Sequence, residues 1–328
     1  MYKIIGTSEP NILSITDYLI GDMSDINYEF LLLDKPIILL SNDWLDVNFP
    51  NLGCRMKLIC QLPEVVDSMS KCDNYNQERK KYLNEAFKVS DNSNSDVALD
   101  AILSISNIDN PIISLHHVNN MIYKSNLMPL KASAEKLGIA VLENAILDTP
   151  NVINVAAHFA CLLHPKVAKN FCVHLDHGLK GVGTANVEIS KRDYIKHNFF
   201  PSVNLHLTAG NMGQARTEML LGPLKHRAII GGYPKATSII NGATMRNREI
   251  ICNTFDLDMS LPIITYASAG EGSSEKPGGS LSKDVLRALK TFEREHNFNV
   301  IIKLKYPYYF QRKLLSNIKN RFKNIVLS

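Results

Sequence analysis

The sequence has no apolar run long enough to cross a membrane. Its greasiest stretch, residues 30–40, is broken by Asp34, Lys35 and Pro36, well short of the ~20 apolar residues a spanning helix takes. The N-terminal Met-Tyr-Lys-Ile-Ile-Gly lacks an apolar h-region followed by small residues, so no secretory signal is expected. The six cysteines, Cys54, Cys60, Cys72, Cys161, Cys172 and Cys252, include no CxxC pair. They read as reduced thiols in a cytoplasmic protein rather than a zinc knuckle. A formal net charge of +4 is too small to argue for nucleic acid. Walker and dinucleotide fingerprints, a G-x-S-x-G elbow and repeats of 20–50 residues are also missing.

What is present is a globular composition. With 45% hydrophobic and 21% charged residues over 328 positions, disorder is excluded and a large core is expected. The most polar stretch, residues 90–96, is rich in Ser, Asn and Asp, which favour turns. It divides an expected N-terminal α/β extension, residues 1–96, from the remainder, residues 97–328. In the extension, apolar runs at 30–33, 37–40 and 56–62 read as strands, and residues 78–88 as a charged helix.

Beyond residue 96, short apolar strands alternate with amphipathic helices. Expected strands lie at 111–115, 139–142, 171–175, 202–207, 228–231, 249–252, 262–266 and 299–304. Expected helices lie at 129–137, opening with Pro129, and at 152–163, 212–224 and 310–322. Eight strands alternating with helices point to a (β/α)8 TIM barrel over residues 97–328, with an open doubly wound sheet as the second choice.

The strongest local signal is His174-Leu175-Asp176-His177-Gly178, directly after an apolar strand. Strand alternation puts His174 and Asp176 on one face, and the turn at Gly178 presents His177 at the strand mouth. An aspartate beside an imidazole can carry protons next to a metal; a hydrogen-bonded strand end is the bland alternative. Two glycine-rich runs, 178–184 and 269–274, are candidate anion cradles. The C-terminal stretch 303–323 interleaves seven basic residues with Tyr306, Tyr308, Tyr309 and Phe310, and its apolar spacing favours a helix with a solvated basic face over nucleic-acid binding.

The His174–Gly178 segment resembles the HxDHG motif of class II, zinc-dependent fructose-bisphosphate and tagatose-bisphosphate aldolases. His116-His117-Val118-Asn119-Asn120 resembles that family's FNVNN segment, and Lys131-Ala132-Ser133-Ala134-Glu135-Lys136-Leu137 the helix that follows. The resemblance implies a lyase that makes or breaks a carbon–carbon bond in a phosphorylated or polyhydroxy ketose. Asp176 would be its catalytic carboxylate and His177 a zinc ligand. Asn119, Ser268, Gly270 and Lys305 would contact substrate or phosphate. A homodimer is the default expectation by the same resemblance.

Departures are as informative as matches. Tyr266 stands where the family's third zinc histidine belongs, Ile251-Cys252-Asn253 supplies no second histidine, and Lys305-Tyr306-Pro307-Tyr308-Tyr309 replaces an aspartate-bearing run. A catalytic zinc takes three protein ligands, so a metal here calls on replacements such as His206 and Glu143. The alternative is a non-catalytic paralogue that binds a sugar phosphate or a protein partner.

Overall fold

In the computed structural model, which describes residues 3–5, 11–21, 26–40, 50–88, 93–118, 121–175, 203–267 and 283–303, the chain forms two parallel α/β units. The first takes both ends, Met1–Tyr82 and Ile239–Ser328, and the second is Leu83–Ser238. In chain order, the first unit opens with β1 (Lys3–Ile5), α1 (Asn11–Ile15), β2 (Tyr18–Gly21), α2 (Ile26–Leu31), β3 (Ile37–Leu40) and β4 (Cys54–Met56). It continues through α3 (Leu62–Lys71) into α4 (Asn76–Ala86), within which the chain passes to the second unit. There follow α5 (Asn94–Ser106), β5 (Ile112–His116), α6 (Met121–Lys136), β6 (Ala140–Glu143), β7 (Val152–Ala156), β8 (Phe171–Leu175), β9 (Leu205–Thr208), α7 (Asn211–Leu221) and β10 (Ala228–Ile230). Helix α8 (Pro234–Gly242) leads back to α9 (Met245–Phe255), β11 (Ile263–Ala267), α10 (Lys283–His296) and β12 (Asn299–Lys303).

The first unit's sheet runs β1-β12-β11-β2-β3-β4, all parallel. Its inner strands are near-continuous apolar runs, such as Ile37-Ile38-Leu39-Leu40, buried at every position, as expected where helices cover both faces. One face packs on Leu62, Val66 and Met69 of α3 and on Leu286, Leu289 and Phe292 of α10. The other packs on Ile12 and Ile15 of α1 and on Ile251, Cys252 and Phe255 of α9. Strand order reverses between β2 and β11, which makes their carboxyl ends the topological switch point.

The second unit's sheet runs β10-β9-β8-β7-β5-β6, again all parallel. Here the order reverses between β5 and β7. Ile113, Leu115, Ile153, Val155, Val173, Leu175, Leu205 and Leu207 point to one face and pack on α5 and α6. The opposite face is polar for a buried sheet. Register aligns Ser114, Asn154 and Cys172 in one row, and His116, Ala156, His174 and His206 in the next.

The TIM barrel is therefore not formed. Strand–helix alternation is common to barrels and open sheets; closure needs the first and last strands to pair. Here β6 and β10 end one sheet, and β1 and β4 the other. The sequence break at 90–96 falls inside the second unit, at the start of α5. Residues 152–156, expected as the start of a helix, form the central strand β7, buried throughout, because a short apolar run interrupted only by Asn154 suits either period.

Residues 249–252, expected as a strand, lie within α9. Its start is capped by the Thr244 hydroxyl accepting from the Asn247 N–H, and it ends at Asp256 in the left-handed conformation. These caps outweigh the two isoleucines. Residues 30–33 begin in helix α2, and Pro129 sits inside α6 rather than opening it. The last helix expected, 310–322, lies outside the described residues.

Candidate functional site

Open parallel sheets bind ligands outside the carboxyl ends of their strands, at the point where strand order reverses. In the second unit that point lies between His116, the last residue of β5, and Ala156, the last of β7 and its register partner. His116 is buried, and its Nε2 lies 2.9 Å from Oδ1 of Asn154, two residues back on the neighbouring strand. The Asn154 amide nitrogen donates to the Val167 carbonyl at 3.3 Å, so its oxygen faces the imidazole. His116 therefore donates through Nε2–H and keeps its lone pair on Nδ1.

Burial pushes the His116 pKa below the usual imidazole value. Asn154 opposes that shift, while nearby His117 and His164 add to it. At neutral pH the ring is uncharged and able to accept a proton. Beyond the strand ends, Tyr123 in the first turns of α6 stacks on His158, just after β7, with centroids 5.1 Å apart.

His117 points to the opposite face, as strand alternation requires. Its Nε2 lies 3.0 Å from Glu143 Oε2 at the end of β6. Lys124 and Lys131, seven residues apart on α6, reach the same carboxylate at 3.0 and 2.8 Å. Bonds from Lys131, Lys124 and His117 hold the Glu143 carboxyl well below the ordinary range, at about 2. The Asn144 Oδ1 accepts from the backbone N–H groups of His117 and Val118 at 2.9 and 3.0 Å. That grip holds Val118, a β-branched residue, at φ 45° while leaving it exposed. Such an outlier costs about 1–3 kcal/mol and persists only where its surroundings impose it.

Two strands away, His174 and His206 meet edge to face at 5.4 Å. Neither ring nitrogen of buried His206 has a hydrogen-bond partner among the described residues. Burial, with Arg227 nearby, pushes its pKa down to about 4. The two expected replacement ligands do not converge: Glu143 shares its face with Leu115, and His206 shares the opposite face with His174 and His116. Among the described residues no group of three or more His, Cys, Asp or Glu side chains is placed to hold a metal ion. Asp176, His177, Asn119, Ser268, Gly270 and Lys305 lie outside the described residues.

Sequence reasoning missed Asn154 and the pairing it makes. The signal was there: one asparagine in the apolar run Val152-Ile153-Asn154-Val155, where a buried carboxamide must have partners. It also missed Asn144, whose role depends on two strands being adjacent.

The family model for CDP-glycerol:poly(glycerophosphate) glycerophosphotransferase matches residues 6–104. That interval holds β2, β3 and β4 of the first unit with α1 to α4, and runs on through most of α5. No curated protein and no solved structure matches the chain. The family match overturns the class II aldolase reading and the carbon–carbon lyase activity that came with it. The fold removes the physical basis of that reading as well. A barrel would bring the His174 strand and the Tyr266 strand to one rim, whereas β8 and β11 belong to different sheets in different units. Tyr266 is a core residue of the first unit and does not occupy the place of a lost ligand. No helix among the described residues is long and apolar enough to cross a membrane.

Proposed function

We propose that this chain is a transferase of the glycerophosphotransferase type. It would move a polyol-phosphate group from a nucleotide-activated donor to a hydroxyl group of an acceptor. The observation that carries this reading is the family match over residues 6–104, laid on a parallel sheet whose strand order reverses at β2 and β11. Two parallel sheets, each with a reversal of strand order, support it, because the carboxyl ends of strands at such points receive nucleotides and phosphorylated ligands. A polyol-phosphate donor also falls within the sugar-phosphate class of small-molecule partner.

In this reaction an acceptor oxygen attacks the donor phosphorus that bears the polyol. A new P–O bond forms, the bond to the bridging oxygen breaks, and a nucleoside monophosphate leaves. Catalysis of such transfers is mostly positioning and charge stabilisation. The test is incubation of the full chain with CDP-glycerol and a poly(glycerophosphate) acceptor, following CMP release and acceptor elongation. Release of CMP coupled to elongation supports the reading. Neither product forming, with no CDP-glycerol binding in calorimetry, rejects it.

A further inference from the structure

We infer that strand β6 is a docking edge for a second copy of this chain. The two copies pair β6 to β6, antiparallel about a two-fold axis at Val141, so that the second unit's sheet continues from one molecule into the next.

Strand β6 ends its sheet, with β5 on one side and no described strand on the other. The Asn144 N–H donates to the Leu115 carbonyl on β5 at 2.8 Å. Alternate residues of a strand bond to the same neighbour, so Ala140 and Leu142 also turn their backbone groups to β5. Ile139, Val141 and Glu143 therefore turn theirs outward. Side chains alternate as well: Ala140 and Leu142 are exposed, while Val141 and Glu143 are half-buried. Leu137, just before the strand, and Ile146, just after it, are further exposed apolar side chains.

Sheet edges are ordinarily blunted by charge or kept covered. Of the other three edge strands, β1 carries Lys3, β4 carries Arg55, and β10 has no exposed residue. The charge on β6 belongs to Glu143, which is folded back onto Lys124 and Lys131 of α6 at 3.0 and 2.8 Å. A neighbouring strand would meet apolar side chains and a neutralised carboxylate.

The edge is complementary to itself. With the axis at Val141, Val141 pairs with Val141 of the second copy and Ile139 with Glu143, each pair exchanging both of its outward bonds. Ala140 then lies opposite Leu142 of the second copy, a small side chain against a large one on the exposed face. Moving the axis to Glu143 sets like charges opposite each other, which is unfavourable, and moving it to either neighbour of Val141 leaves outward groups unpaired. Such a contact is isologous and closes at two copies. One short strand and a few aliphatic side chains make a small interface, so association falls in the micromolar range and depends on concentration.

Sedimentation of the full chain over the micromolar range tests this. Wild type is expected to move from 36.7 kDa toward twice that mass as concentration rises. Leu142→Lys, at an exposed position, should keep the circular dichroism of wild type. It should raise the dimer Kd by at least about 10-fold, because the axis makes each substitution act twice. The double variant Ala140→Cys, Leu142→Cys reads the register: opposed residues that do not bond each other lie about 4.5 Å apart at Cα, within reach of a disulfide. Mild oxidation should therefore join two chains through positions 140 and 142, which mass spectrometry of the digest identifies, whereas wild type under the same oxidant should not cross-link there. Wild type that stays at 36.7 kDa throughout overturns the inference and leaves the edge to a strand of another protein. A dimer that Leu142→Lys leaves unchanged, or in which the paired cysteines do not join, overturns it too and puts the contact on another face.

Discussion

Replacing Arg79 by methionine tests how the first unit is tied together. The guanidinium is only 1% exposed. It donates from Nη1 to Asp73 Oδ1 at 3.0 Å and makes a second bond from Nη2 to Asp73 Oδ2. Asp34, in the turn after α2 at φ 48°, lies 3.9 Å from Nη2 and accepts from the Asn76 amide at 2.8 Å. One side chain of α4 thus joins the turn before β3 to the turn between α3 and α4. Breaking a buried pair from one side typically costs about 3–5 kcal/mol. Asp73 and Asp34 are 22% and 42% exposed, so water recovers part of the stranded charge. Arg79 Nε also has no partner among the described residues, so burying the guanidinium carries a cost that methionine does not.

Those two corrections bring the expected loss to about 2 kcal/mol, or about 4–8 °C in Tm for a unit of this size. Urea and thermal unfolding of the full chain, followed by circular dichroism, measure it. An Arg79→Met, Asp73→Asn cycle should return most of the loss as coupling. A variant within about 0.5 kcal/mol of wild type, or more stable than it, would refute the argument that this pair ties the two turns.

Three further outcomes follow from the second unit. Val118→Gly relieves the left-handed strain, and part of that gain is offset by glycine's greater unfolded freedom. It should stabilise by about 0.5–1 kcal/mol in urea titration, and a loss of stability would show that the exposed isopropyl group packs. Glu143 contributes stability that is present above its unfolded value and is lost as pH falls toward about 2, so Glu143→Gln should be less stable at pH 7 and converge with wild type near pH 2; parallel curves would refute it. His206 is held neutral with its pKa near 4, so its contribution is complete above the unfolded imidazole value of about 6.5 and is lost as pH falls through 4. Acid unfolding of His206→Leu should begin at lower pH than in wild type, and an unchanged midpoint would count against a buried neutral imidazole.

Much of the local structure was legible in the residues. Continuous apolar runs marked β3, β5, β8, β11 and β12, because strands covered on both faces need apolar side chains at every position. The alternation of strand and helix placed the chain among α/β folds. The choice between barrel and open sheet could not be read, since both use the same rhythm and differ only in which strands become neighbours. Residues 152–156 and 249–252 were misassigned because two or three adjacent apolar residues carry no period. Neighbouring strands settled the first, and the caps at Thr244 and Asp256 settled the second.

For the candidate site, the sequence by itself determined which chemistry was at hand: an unusual density of histidine at strand ends, an asparagine inside an apolar strand, and a glutamate closing β6. Tertiary structure decided what those groups do. Placing β7 beside β5 gives His116 its carboxamide partner, and placing β6 on the other side gives His117 a carboxylate. Two adjacent histidines, one peptide apart, are thereby sent to opposite faces and opposite electrostatic environments. The physical reason is that a strand's alternation is local, whereas its neighbours are set by the crossings of the whole chain.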